Sequence, residues 1–171
     1  MRIYLTGFMG AGKSTVGRLL AQRLGSAFVD LDAEIERRAG ASVREIFEQR
    51  GEAAFRGLER QCLEETFGAE RVVVATGGGT LAAPANLESA RARGLVVWIH
   101  PPFATIVGRI GGLGKSDRPL FRDEKEALEL YRRRLPTYRR ADLTVEVSPE
   151  ESAEEVAARL VLTLSERACS T

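Results

Sequence analysis

Short apolar runs alternate along this chain with stretches in which apolar residues recur every three or four positions. Residues 3–5 are apolar and end at glycines. Val16, Leu19, Leu20 and Leu24 then fall at helical spacing before Gly25 closes the segment. A second short strand is expected at 27–29. Ser42-Val43-Arg44-Glu45 has the form of a capping box, and Val43, Ile46 and Phe47 give the helix it opens an apolar face. A longer helix is expected over 52–67, with Phe55, Leu58, Cys62 and Leu63 along one stripe.

Residues 72–75 and 95–99 are continuous apolar runs, which suit strands buried on both faces. Phe103, Ile106, Val107 and Ile110 mark a helix after the second of them. Leu143, Val145 and Val147 alternate with Thr144 and Glu146, the pattern of an edge strand. Ser148, Pro149 and Glu151 are expected to open a last helix, whose stripe is Ala153, Val156, Leu160 and Leu164. Five strands separated by helices predict an α/β fold with a five-stranded parallel sheet. With 171 residues and no linker long enough to divide them, one domain over 1–171 is expected.

Composition narrows the function classes. Lys plus Arg is 25 against 24 Asp plus Glu, so no global charge points to a nucleic acid or a membrane surface. Two cysteines, Cys62 and Cys169, make no disulfide framework, and a reduced cytoplasmic location is expected. No apolar run is long enough for a membrane span. Only three of the basic residues are lysines, at 13, 115 and 125, which makes Lys13 conspicuous.

Gly7-Phe8-Met9-Gly10-Ala11-Gly12-Lys13-Ser14-Thr15 matches G-x-x-x-x-G-K-[ST]. Its glycines let backbone N–H groups turn inward on phosphate oxygens, and the following helix adds the positive end of its dipole. Lys13 reaches the β- and γ-phosphates, and the Ser14 hydroxyl is a Mg²⁺ ligand. Gly10, Ala11, Gly12 and Thr15 complete the nucleotide-binding set. No N-K-x-D stretch reads a guanine base, so an adenine nucleotide is expected. Asp30 and Asp32 follow the second strand, where strand carboxyl ends line a ligand crevice, and alternation sends both to the same side if the strand continues. Two readings stand for this pair: a metal support and a proton acceptor, or simple caps of the next helix. Gly77-Gly78-Gly79 offers either close backbone approach to a ligand or a tight turn. A pair of guanidinium groups from Arg56, Arg139 and Arg140 fits a carboxylated substrate, which they bind bidentately, and Arg118 in a glycine-rich loop fits the charge of a transferring phosphoryl group. Otherwise they are solvated surface residues. His100, with no partner apparent in the sequence, receives no role.

Phe28-Val29-Asp30-Leu31-Asp32, Ile46-Phe47, Gly51-Glu52, Phe55-Arg56, the glycine triplet, Arg118-Pro119-Leu120 and Tyr138-Arg139 occur in this order behind the phosphate loop. In that combination the chain resembles the shikimate kinases over nearly its whole length. The resemblance implies a P-loop NTPase-type three-layer sandwich with a substrate-binding helical segment at about 32–60 and a lid at about 111–122. It implies ATP as co-substrate, Mg²⁺ as cofactor and transfer to the shikimate 3-hydroxyl, in chorismate and aromatic amino acid biosynthesis. By residue, it implies Asp32 as the base and hydroxyl contact, and Asp30 with Ser14 as the magnesium support. Arg56 and Arg139 would grip the substrate carboxylate, and Gly78 would donate its N–H to substrate. Arg118 in the lid would act with Lys13 on the phosphates, and adenine would lie between Arg109 and residues 147–149. A monomer without nucleic-acid or membrane partners is expected. The alternatives are a related sugar-acid kinase such as a gluconate kinase, and a nucleotide-binding module with no small acceptor.

Overall fold

Continuous apolar runs become central strands, because helices cover both faces of the sheet they join. The computed structural model describes residues 1–111 and 124–169. Its strands are β1 (Arg2–Thr6), β2 (Ala27–Asp30), β3 (Val72–Ala75), β4 (Leu95–His100) and β5 (Leu143–Glu146). They pair in parallel in the order β2-β3-β1-β4-β5. Every residue of β3 is buried, whereas β5 alternates and lies at an edge, as its sequence predicts.

Alternation along the strands divides the core in two. Leu5, Val73 and Val97 face α1 (Lys13–Leu24) and α7 (Ala153–Cys169), packing with Val16, Leu20 and Leu160. Tyr4 and Val74 face the other way, toward Leu31 in α2 (Leu31–Ala39), Ile46 and Leu63 in α3 (Val43–Glu65), and Leu87 in α4 (Pro84–Arg91). A third cluster joins Phe8 and Met9 to α5 (Phe103–Gly111) and α6 (Glu124–Tyr138) through Ile106, Ile110, Tyr131 and Tyr138. Among the described residues no helix is long and apolar enough to cross a membrane.

Three details differ from the sequence reading. The Ser42–Glu45 capping box forms, but the two expected helices join as α3 across a break at Gly51, which has φ 78° and ψ 169°. The last helix starts a turn later than expected. Ser152 and Glu155 form its box, while Glu151 is drawn into a two-nitrogen ion pair with Arg159. Finally, α6 was not anticipated, and Pro136 lies within its last turn. The expected lid lies almost wholly outside the described residues.

Candidate active site

β1 delivers the chain into the phosphate loop, and α1 follows at once. Gly12 caps α1 in the left-handed region, at φ 95°, and supplies no side-chain oxygen. The first N–H groups of α1 therefore point into the space ahead of the helix as donors, with the helix dipole behind them. Lys13 is buried, and its Nζ donates to the carbonyls of Gly7 (2.8 Å) and Phe8 (2.9 Å), holding the loop closed. Arg109 of α5 lies against the loop, its Nη1 3.3 Å from the Ala11 carbonyl.

A cavity of about 420 Å³ opens in front of this loop. Gly10, Gly12, Lys13, Ser14, Thr15, Asp30, Asp32 and Gly78 all line it, so eight of the residues marked in the sequence converge there. Met9, Thr76 and Arg109 complete the lining. A smaller cleft of about 190 Å³ adjoins it, between Ala11, Gly12, Thr15, Arg109, Val147 and Glu151. That is the neighbourhood in which the sequence reading puts adenine.

The two aspartates reach the cavity through the helix cap that was one of the two readings of the pair. Strand alternation was expected to put them on one side, but β2 ends at Asp30. The Asp30 carboxylate caps α2, its Oδ1 accepting from the N–H of Asp32 (3.1 Å) and Ala33 (3.3 Å). The capping reading of Asp30 therefore holds, and the cap turns Asp32 toward the glycine triplet. A Cβ at Gly77 would fall 2.7 Å from Asp32 Oδ1. Capping engages Oδ1, and Asp30 still lines the cavity. Among the described residues no cluster of three or more His, Cys, Asp or Glu could cage a metal. Ser14, Asp30 and Asp32 are hard oxygen donors, and one or two carboxylates with phosphate oxygens and water are what Mg²⁺ needs. The residues fit that ion as a companion of a bound nucleotide.

The acceptor side is built from side chains. Arg56, half-buried on α3, donates from Nη1 to Glu59 Oε2 at 2.7 Å and pairs with Glu52. Glu59 is almost fully buried, and its Oε1 accepts from the Thr80 hydroxyl at 2.6 Å. The Arg56 guanidinium lies flat on Gly79. A Cβ there would sit 2.5 Å from Nη1, so only glycine admits the arginine.

Arg139 does not join it. That residue is exposed in the turn beyond α6, about 100° around the axis from the buried Tyr138. Arg134 shares the face of Tyr138, four residues earlier, and is 9% exposed. Its Nη1 lies 3.4 Å from where a Gly78 Cβ would be, and its guanidinium stands 5.8 Å from the centre of the Phe8 ring. The second guanidinium beside the glycine triplet is thus Arg134 and not Arg139. Tyr138 donates its hydroxyl to the Gly78 carbonyl at 2.5 Å. Burial pushes the Tyr138 phenol up to about 12 despite Arg134 beside it, so it stays a donor.

Glu59, Thr76 and Arg134 were missed by sequence reasoning, although two left a signal. Glu59 is the one acid on the Phe55–Cys62 stripe. Tyr131, Arg134 and Tyr138 are spaced by three and four residues, as one helix face is. Arg118 lies outside the described residues.

A phosphate loop opening on a cavity lined by Lys13, Asp30, Asp32 and Gly78, with Arg56 and Arg134 against the glycine triplet, has the form of a P-loop kinase. The shikimate kinase family model matches residues 9–165. A shikimate kinase from Persephonella marina is 41% identical over 162 residues, covering 92% of this chain and 98% of its own. The structure of shikimate kinase from Acinetobacter baumannii in complex with shikimate superposes with a TM-score of 0.90 at 39% identity, covering 96% of this chain and 93% of that one. A gluconokinase from Sinorhizobium meliloti, at 19% identity and a TM-score of 0.57, shares the fold alone. The chain belongs to the shikimate kinase family, and it is a kinase.

Proposed function

We propose that the chain transfers the γ-phosphoryl group of ATP to the 3-hydroxyl of shikimate, giving 3-phosphoshikimate and ADP. The observation that carries this reading is the convergence of Asp32, Arg134 and Arg56 on the glycine triplet, whose Gly78 lines the same cavity as Lys13. Arg56 and Arg134 hold the substrate carboxylate, and the Gly78 N–H adds a donor. This fixes which hydroxyl meets the nucleotide. Asp32 accepts the proton of that hydroxyl as its oxygen bonds to phosphorus. The bond from phosphorus to the β–γ bridging oxygen breaks, and the electron pair leaves with ADP.

Lys13 must release the Gly7 and Phe8 carbonyls to reach the β- and γ-phosphates, and the α1 N–H groups share their charge. Ser14 and Asp30 would hold magnesium, which supplies charge neutralisation on the phosphates when bound. Arg118 joins Lys13 on the transferring group, as part of a lid at about 111–122. α2 and the first half of α3 form the acceptor segment, and adenine occupies the cleft beside Arg109. The protein works as a cytoplasmic monomer, and two free cysteines are consistent with a reducing compartment.

An ADP-coupled assay with shikimate, gluconate or no acceptor tests the reading. Turnover is expected with shikimate alone. Equal rates with gluconate, or ATP hydrolysis indifferent to shikimate, would overturn it.

A further inference from the structure

His100 ends β4, and the catalytic reading leaves it unused, yet three elements meet on its ring. It stacks on Trp98 with centroids 3.9 Å apart and planes 21° from parallel. Nδ1 lies 3.0 Å from Glu146 Oε1 at the end of β5, and Nε2 lies 2.9 Å from the Tyr131 hydroxyl on α6. A carboxylate only accepts, so Nδ1 carries the ring proton. In the neutral ring Nε2 is then the acceptor, and the Tyr131 O–H donates to it.

Tyr131 is 8% exposed and meets the Phe8 ring edge-on, with centroids 5.4 Å apart. Phe8 in turn carries the Arg134 guanidinium over its face. Arg134 follows Tyr131 by three residues, on the same face of α6. A contiguous chain therefore runs from the end of β4 to the second arginine: His100, Tyr131, Phe8, Arg134. At its far end Tyr138 fixes the Gly78 carbonyl.

We propose that His100 is a positioning residue for acceptor binding, which sets the rotation of α6 through Tyr131 so that Arg134 faces Gly78. Rotating α6 by a few tens of degrees would carry Arg134 off the glycine triplet. The Tyr131 arm does most of this, because Glu146 is exposed and an exposed pair contributes little. The proposal rests on Arg134 holding the substrate carboxylate.

Steady-state kinetics of five variants separate the two. Tyr131→Phe and His100→Asn each remove the hydroxyl-to-ring hydrogen bond and keep most of the packing. Each is expected to raise the shikimate KM about three- to tenfold, the scale of one ordinary hydrogen bond. kcat and the ATP KM stay within about twofold. His100→Gln, whose side-chain oxygen can take the place of Nε2, is expected to restore a near-normal shikimate KM. Glu146→Gln changes it by less than about twofold. Arg134→Lys, the control, raises it more than any of these.

If Arg134→Lys acts but Tyr131→Phe and His100→Asn leave the shikimate KM unchanged, the positioning role is wrong while the site reading survives. The role is also wrong if those two variants raise both KM values equally, or if His100→Gln rescues nothing. If Arg134→Lys itself has no effect, the site reading falls and the positioning role with it.

Discussion

The phosphate side of the cavity comes from nine consecutive residues, 7–15, and most of its donors are backbone N–H groups. The acceptor side draws Asp32 from α2, Arg56 and Glu59 from α3, Gly78 and Gly79 from the turn beyond β3, and Arg134 from α6. The first needs a tight turn feeding a helix, a local arrangement that presents backbone donors to phosphate. The second needs four elements in correct rotation, because its donors are side chains whose heads are far from their backbones. Substitutions on the two sides should therefore fail differently. Loss of a side chain on the acceptor side should spare ATP binding.

Asp32→Asn breaks that comparison most sharply if it is wrong. Phosphoryl transfer should fall about 10²- to 10⁴-fold, since asparagine cannot take the hydroxyl proton. ATP affinity by calorimetry should stay within a few-fold, because the loop is untouched. A normal turnover would remove Asp32 from the chemistry.

The next effect in size distinguishes two neighbouring arginines. Arg134→Ala should raise the shikimate KM by roughly 30-fold or more, the loss of a charge-assisted, two-pronged contact in a buried place. Arg139→Ala should change it by less than about twofold. The reverse pattern would mean that the exposed residue moves into the site when substrate binds.

That pair also marks where the sequence stopped being legible. The phosphate loop, the five strands and the glycine triplet are local patterns, so they can be found without knowing the tertiary structure. Asp30 and Asp32 were placed correctly at a strand end, but by an alternation that the cap of α2 replaces. Arg139 was chosen for standing next to Tyr138 in the chain. On a helix the neighbour in space is three or four residues away, and no helix had been read over residues 124–138. Glu59 was passed over because a buried acid is recognisable only once its partners, Arg56 and Thr80, are known.

Glu59→Gln sharpens the acceptor side further. The amide can still bond Thr80 but no longer offers charge to Arg56. The shikimate KM should rise about five- to twentyfold, and stability in a urea titration should fall by about 1–3 kcal/mol. The ATP KM should not move. An unchanged shikimate KM would mean that Glu52 alone orients Arg56.

The smallest effect is read with pH. Burial is the largest influence on all three tyrosines, raising Tyr4 and Tyr131 and pushing Tyr138 up to about 12. In the unfolded chain phenols ionise near 10. Between about pH 10 and 12 the native protein therefore binds more protons than the unfolded one, and stability must fall as pH rises through that window. Below it the contribution is constant. A phenolate absorbance titration of folded protein should show one tyrosine that ionises only near pH 12 or on unfolding, and Tyr138→Phe should delete that step alone. Because Tyr138 braces Gly78, losing its O–H at high pH should weaken shikimate before it weakens ATP. If all three phenols titrate together near 10 in folded protein, Tyr138 is not sealed behind the glycine triplet, and α6 is not packed against it as the acceptor side requires.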